Sequence, residues 1–165
     1  MRRIVPCLIL IMPVLALPAL GAPPALSSAD QVAAFKAAGF TQRGGQWRSG
    51  CDDPGTPSYS PGQIAQVRDL NGDGRPEAVI TEGGTYCYGM SGSGFSLVSQ
   101  QADGSWRLMT SAIGLPDFLA SRGAGGWPDI QVGGPGFCFP VMRWDGKAYA
   151  LHRHEYEGQR CKMRR

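Results

Sequence analysis

Two stretches of this chain carry the same order of residue types. Gly74-Arg75-Pro76-Glu77-Ala78-Val79-Ile80 is matched by Gly126-Trp127-Pro128-Asp129-Ile130-Gln131-Val132, a period of about 50 residues. In each copy glycines and a cysteine follow (Cys87, Cys138), then a strand-like run, an Asp-Gly turn and a run with an aromatic, Trp106 or Tyr149. A repeat of that length points to stacked sheets or propeller blades, each unit burying its apolar face on the next. With 24 glycines in 165 residues, the units must be built from short segments. The expected fold is therefore mainly β: short antiparallel strands in two or three propeller-blade-like repeats, with one N-terminal α-helix. Closed propellers typically have four to eight blades, so a partly propeller-like sheet stack is expected, its edges closed by the helix or disulfides.

The units span about 63–110 and 122–157. Ahead of them, "SSADQVAAFKAAGF" reads as a short amphipathic helix, with Ser28 as N-cap, Gln31 completing a capping box and Gly39 as the stop. Val32 and Phe35 should dock it. "FTQRGGQWRS" reads as a hairpin around Gly44-Gly45, a remnant of a third unit. "CDDPGTPSYSPG" is a loop, "QIAQVRDL" and "EAVITEGG" are strands, and "LPDFLAS" is at most a short helix.

"MRR" followed by the uncharged "IVPCLILIMPVLALPALGA" has the form of a secretory leader, residues 1–21, with Ala19 at the −3 position. A retained anchor is the competing reading, but Pro6, Pro13 and Pro18 interrupt the apolar run. The remainder, 22–165, suits one β-rich domain with two disulfides. Without Arg2 and Arg3 it has 14 basic against 13 acidic residues, which argues against a nucleic-acid partner. Cys51, Cys87, Cys138 and Cys161 make an even set with three possible connectivities. Cys51–Cys87 and Cys138–Cys161 are expected, because each bridge then stays within one unit.

Between the first two strands lies "DLNGDGRPE". Asp69, Asn71 and Asp73 place side-chain oxygens at alternate positions, Arg75 offers a main-chain carbonyl with its side chain out in water, and Glu77 returns a carboxylate. Gly72 and Gly74 permit the positive φ that wrapping requires. Asn-Gly and Asp-Gly also make turns with no metal at all, but five spaced oxygens exceed a turn's needs. An EF-hand is excluded, since its twelfth position, a glutamate there, is Ile80 here. The stretch Asp69–Gly84 resembles the calcium loop of FG-GAP and VCBS-type repeats, found in integrin-like propellers and many secreted bacterial proteins. That resemblance implies calcium as cofactor, held by Asp69, Asn71, Asp73, the carbonyl of Arg75, and Glu77; the family usually has Asp where Glu77 stands. The second unit's "SRGAGGWPD" keeps Asp129 without the other acids and should be metal-free.

His152 and His154 share a strand face, Asp52 and Asp53 are adjacent, and Glu82 is a further carboxylate. A small secreted hydrolase would draw on these; a purely structural envelope protein is the third class. Trp106 and Trp144 repeat in register and read as core, whereas Trp127, in a glycine-rich loop, reads as an exposed contact. The leading expectation is a non-enzymatic, calcium-binding interaction module, exported to the periplasm or beyond. It would be a monomer with an unknown protein or glycan partner, no nucleic acid and no membrane span after processing. The intact mass of the exported protein should start near Ala22 or Pro23; a mature protein that retains Met1 would restore the anchor.

Overall fold

Ser27 starts the first element among the described residues. In the computed structural model, which describes residues 25–162, its Oγ accepts the Asp30 N–H at 3.1 Å and helix α1 runs Ser28–Ala37. The expected leader lies outside the described residues. The cap is thus one residue earlier than Ser28, and Gln31 donates to the Leu26 carbonyl instead of closing a capping box. At the other end Gly39 (φ +83°) reverses the chain. The Phe40 N–H then reaches the Phe35 carbonyl and the Gly39 N–H that of Lys36, at 2.9 and 3.0 Å, a Schellman stop. Val32 is exposed, so the helix docks through Ala34 and Phe35 rather than Val32.

Among the described residues eleven strands follow in two curled antiparallel sheets. The first contains β1 (Thr41–Arg43), β2 (Gln46–Arg48), β3 (Ser60–Arg68), β4 (Glu77–Gly83), β5 (Ser93–Gln100) and β6 (Trp106–Ile113), in that order. The second contains β7 (Leu115–Arg122), β8 (Pro128–Gly133), β9 (Phe139–Trp144), β10 (Tyr149–Tyr156) and β11 (Gln159–Arg160), likewise in chain order. A short helix, α2 (Thr85–Tyr88), sits between β4 and β5. Each repeat is therefore a four-stranded meander, β3–β6 and β7–β10. The β1–β2 hairpin is no third unit: it extends the first sheet through a pairing of Trp47 with Gly62. "LPDFLAS" is strand β7 and not a helix, because pairing with β8 (Phe118 with Ile130, Pro116 with Val132) outweighs the local preference.

One residue, Gly114, joins the sheets. Its N–H donates to the Ser93 carbonyl at 2.8 Å, still on the first sheet, while Leu115 already pairs with Gly133 on the second. It adopts φ +124°, and a Cβ there would lie 2.1 Å from the Gly133 carbonyl oxygen. Only glycine fits a corner this tight.

The corner allows the sheets to pack against each other around Val79, Leu97, Ile130, Trp144 and Tyr149. The other face of the first sheet is covered by α1, whose Phe35 stacks on Trp47 at 4.6 Å between centroids. β4 is consequently buried on both sides: Ala78 and Ile80 face the helix cluster, Val79 the second sheet. Trp144 is core as expected, and Trp106 packs half-buried against the helix cluster. Trp127 is not an exposed contact. It is 7% exposed, its ring 5.9 Å from Trp144 and 6.3 Å from Tyr149. The glycine turn before it folds back, with the Gly123 N–H on the Trp127 carbonyl at 2.8 Å, and places the indole between the sheets. Both disulfides connect as expected, Cys51–Cys87 and Cys138–Cys161.

If the Gly114 corner sets the sheet packing, Gly114→Ala should lower the unfolding free energy by about 3 kcal/mol. Gly104→Ala, equally at positive φ but with open space around it, should cost only about 1 kcal/mol. Urea unfolding monitored by tryptophan fluorescence compares the two.

Candidate functional site

The loop from Asp69 to Pro76 joins β3 to β4 beside the second sheet. Its organiser is the Asp69 carboxylate: Oδ1 accepts the N–H groups of Gly72 (2.7 Å) and Asp73 (3.2 Å), and Oδ2 that of Gly74 (2.8 Å). Burial would raise this carboxyl, but the converging N–H groups outweigh it and lower the pKa. Gly72 and Gly74 take positive φ, as wrapping requires. Asn71 accepts the Asp73 N–H on Oδ1 and donates through Nδ2 to Asp73 Oδ2. The Arg75 side chain does not extend freely into water: although 39% exposed, it folds back, Nη2 on Asp73 Oδ2 at 2.5 Å and Nε on the Gln100 carbonyl at 3.1 Å.

Glu77 closes the loop from beneath. It is 1% exposed; Oε2 accepts the Leu70 N–H at 2.6 Å and Oε1 the Ser99 hydroxyl at 2.8 Å. Burial raises its pKa, the two hydrogen bonds oppose this, and the charges of Asp73 and Asp69 push it further up. No arginine or lysine is paired with it among the described residues. Nor do the described residues gather three or more His, Cys, Asp or Glu side chains as a preformed metal cluster. The structure thus assembles Asp69, Asn71 and Asp73 on one loop with Glu77 below, while Trp127 lies in the core beside it.

The equivalent place in the second unit is handled differently. Asp129, fully buried at the start of β8, accepts Arg143 through Nε and Nη2, both at 2.8 Å, Arg153 Nη1 at 2.6 Å and the Ser121 hydroxyl at 2.6 Å. Arg153 also pairs with Glu155. Two guanidinium groups therefore occupy the charge environment of a carboxylate whose counterpart, Glu77, has none. Arg122 ties the loops together, donating to the carbonyls of Leu70 (2.7 Å) and Gly126 (3.0 Å). A Cβ on Gly126 would come within 2.6 Å of the Asn71 carbonyl oxygen. Arg122, Arg143, Arg153 and Ser121 escaped the sequence reading because only strand register brings them to their partners.

Three further carboxylates, Asp52, Asp53 and Glu82, are each engaged by other groups. Asp52 is exposed and pairs with Arg43 at 3.4 Å. Asp53 is buried and accepts the N–H groups of Gly55 and Thr56, both at 2.7 Å. Glu82, 2% exposed, receives Tyr88 OH (2.6 Å), Tyr59 OH (2.7 Å) and both the N–H and hydroxyl of Ser49. Burial, together with the Glu82 charge, pushes both tyrosines up to about 12. These bonds pin Ser49 and Tyr59, at the two ends of the loop that contains Cys51, and Tyr88 of α2 to β4. His152 and His154 lie on β10, with a bulge between Leu151 and Arg153.

No protein-family model matches the chain, and no curated protein or solved structure is significantly similar to it.

Burial alone would raise the Asp129 pKa; Arg143, Arg153 and Ser121 outweigh it and hold this carboxyl well below the usual range. A depressed carboxyl pKa adds stability above the unfolded value of about 4 and loses it as pH falls toward the folded one. Wild-type stability should therefore fall steeply below about pH 4. Asp129→Asn should start about 3 kcal/mol lower at neutral pH and show a shallower acid limb in urea titrations.

Proposed function

We propose that the chain is an exported, non-enzymatic binding module whose first repeat is stabilised by calcium. The observation that carries this reading is the contrast between the repeats. Asp129 has two arginines, whereas Glu77 is buried without a cation and has Asp69 and Asp73 on the loop above it. A buried carboxylate with no cation beside it is costly next to two further carboxylates, of which only Asp73 is ion-paired, with Arg75, and a hard divalent cation with oxygen ligands relieves that cost. Asp69, Asn71, Asp73, the Arg75 carbonyl and Glu77 would hold it, with Arg75 giving up its bond to Asp73. The metal would supply charge neutralisation and loop order; no reaction is attached to it.

The partner surface is supported by exposed apolar side chains. Met90, Leu115 and Phe137 are 89%, 57% and 76% exposed, and Met90 and Leu115 flank a cleft with Phe139 and the Gly133–Pro135 turn. Exposed apolar and aromatic groups of this kind suit a protein or glycan partner. The two disulfides are compatible with an oxidising compartment. We read the module as a monomer in the periplasm or outside the cell.

A ligand bound only by the folded state adds about 2.7 kcal/mol of stability at a hundredfold excess over Kd. Melting temperature should rise with calcium relative to chelator. Asp73→Ala should abolish the rise, whereas Asp145→Ala, in a turn whose aspartate accepts only local N–H groups, should leave it intact. Identical melts with and without calcium, with no heat of binding by calorimetry, would reduce Asp69 to Glu77 to a polar turn.

A further inference from the structure

At the far end of the second sheet, β10 and the edge strand β11 border a cleft of about 330 Å³ lined by His152, Arg153, His154, Arg160, Cys161 and Lys162. Several local features build it. The bulge between Leu151 and Arg153 breaks the alternation of β10 at His152. The hairpin turn at Glu157 and Gly158, both at positive φ, returns the chain so that Arg160 pairs with Glu155 in register. The Cys161 N–H then donates to the His154 carbonyl at 3.1 Å, and the bridge to Cys138 clamps the strand end to the segment before β9.

The charges in this cleft are unequal in availability. Arg153 is held by Asp129 and Glu155. Arg160 and Lys162 are exposed and form no ion pair among the described residues. Among the described residues no carboxylate lines the cleft: Glu155 is engaged by Arg153, and Glu157 lies at the exposed hairpin turn. What faces a ligand is a guanidinium, an ammonium and two imidazoles on a disulfide-clamped frame. Phe137 sits edge-on to Tyr156 at 5.2 Å, two residues along β10 from His154, and adds an exposed apolar neighbour.

We propose that this cleft binds a phosphate group, carried either by a soluble phosphate ester or by the headgroup of an anionic lipid. Arg160 supplies the planar donor fork that matches two phosphate oxygens, Lys162 a mobile point charge, and the imidazoles further N–H donors. The site is separate from the acidic loop, and its occupancy does not depend on calcium.

The test uses the disulfide-bonded protein, titrated with pyrophosphate at constant ionic strength and followed by amide NMR, alongside flotation with phosphatidylglycerol or phosphatidylcholine vesicles. Saturable shifts confined to about residues 152–162 support a soluble phosphate; flotation with phosphatidylglycerol alone, without a pyrophosphate response, supports the lipid headgroup. Because Arg160 and Lys162 are exposed and form no ion pair among the described residues, the double variant Arg160→Gln/Lys162→Gln should melt as wild type yet lose on the order of tenfold in affinity. No response to either probe, equal flotation with both lipids, or unchanged affinity in the double variant would overturn the proposal.

Discussion

The face-to-face packing of two meander sheets through one glycine corner is the constraint on which everything else depends. Gly114 lets the chain leave one sheet and enter the next without a loop. The sheets then share an interior in which Trp127, Trp144 and Tyr149 contact one another at 5.4 to 6.3 Å. Such aromatics bury large apolar areas in few residues, which suits a chain with short strands and many glycines. The loop between β3 and β4 is brought against Arg122 and Gly126 by this contact and would otherwise belong to one sheet alone.

A two-unit stack leaves two outer faces, and the chain finishes them in opposite ways. The first sheet is covered by α1, with Phe35 stacked on Trp47 and Ala34 wholly buried. The second has an ionic cover: Arg143 and Arg153 converge on Asp129, and Val141, paired with Arg153 across the strands, is fully buried. Long arginine stems shield apolar surface while their heads satisfy a buried carboxylate.

Charge placement also separates the repeats by role. In the second unit the buried acid is answered from within the chain, making that end a closed structural cap. In the first, Glu77 is answered only by a backbone N–H and a hydroxyl, and two further carboxylates stand on the loop above. Backbone position is shared, whereas the counterion is not. That difference is the observation on which the proposal of a cation in the first unit rests.

Much of the architecture was legible in the sequence. The repeat, the Asp-Gly turns, the β character, the N-terminal helix and both disulfide pairings followed from local spacing and the grouping of cysteines within units, because turn chemistry and strand runs are local properties. The wrapping of the Asp69 loop was legible too, since Gly72 and Gly74 permit it and Asp69 bonds only to near neighbours. The tertiary structure alone decided that "LPDFLAS" is a strand, that Trp127 is core and that Arg75 turns back on Asp73. It also decided that Asp129 is matched by arginines from β9 and β10. Apart from the Arg75–Asp73 pair, whose partners are two residues apart, each of these depends on which strands pair and which faces close, a free energy of burial and charge compensation between residues distant in the chain that no local window of sequence contains.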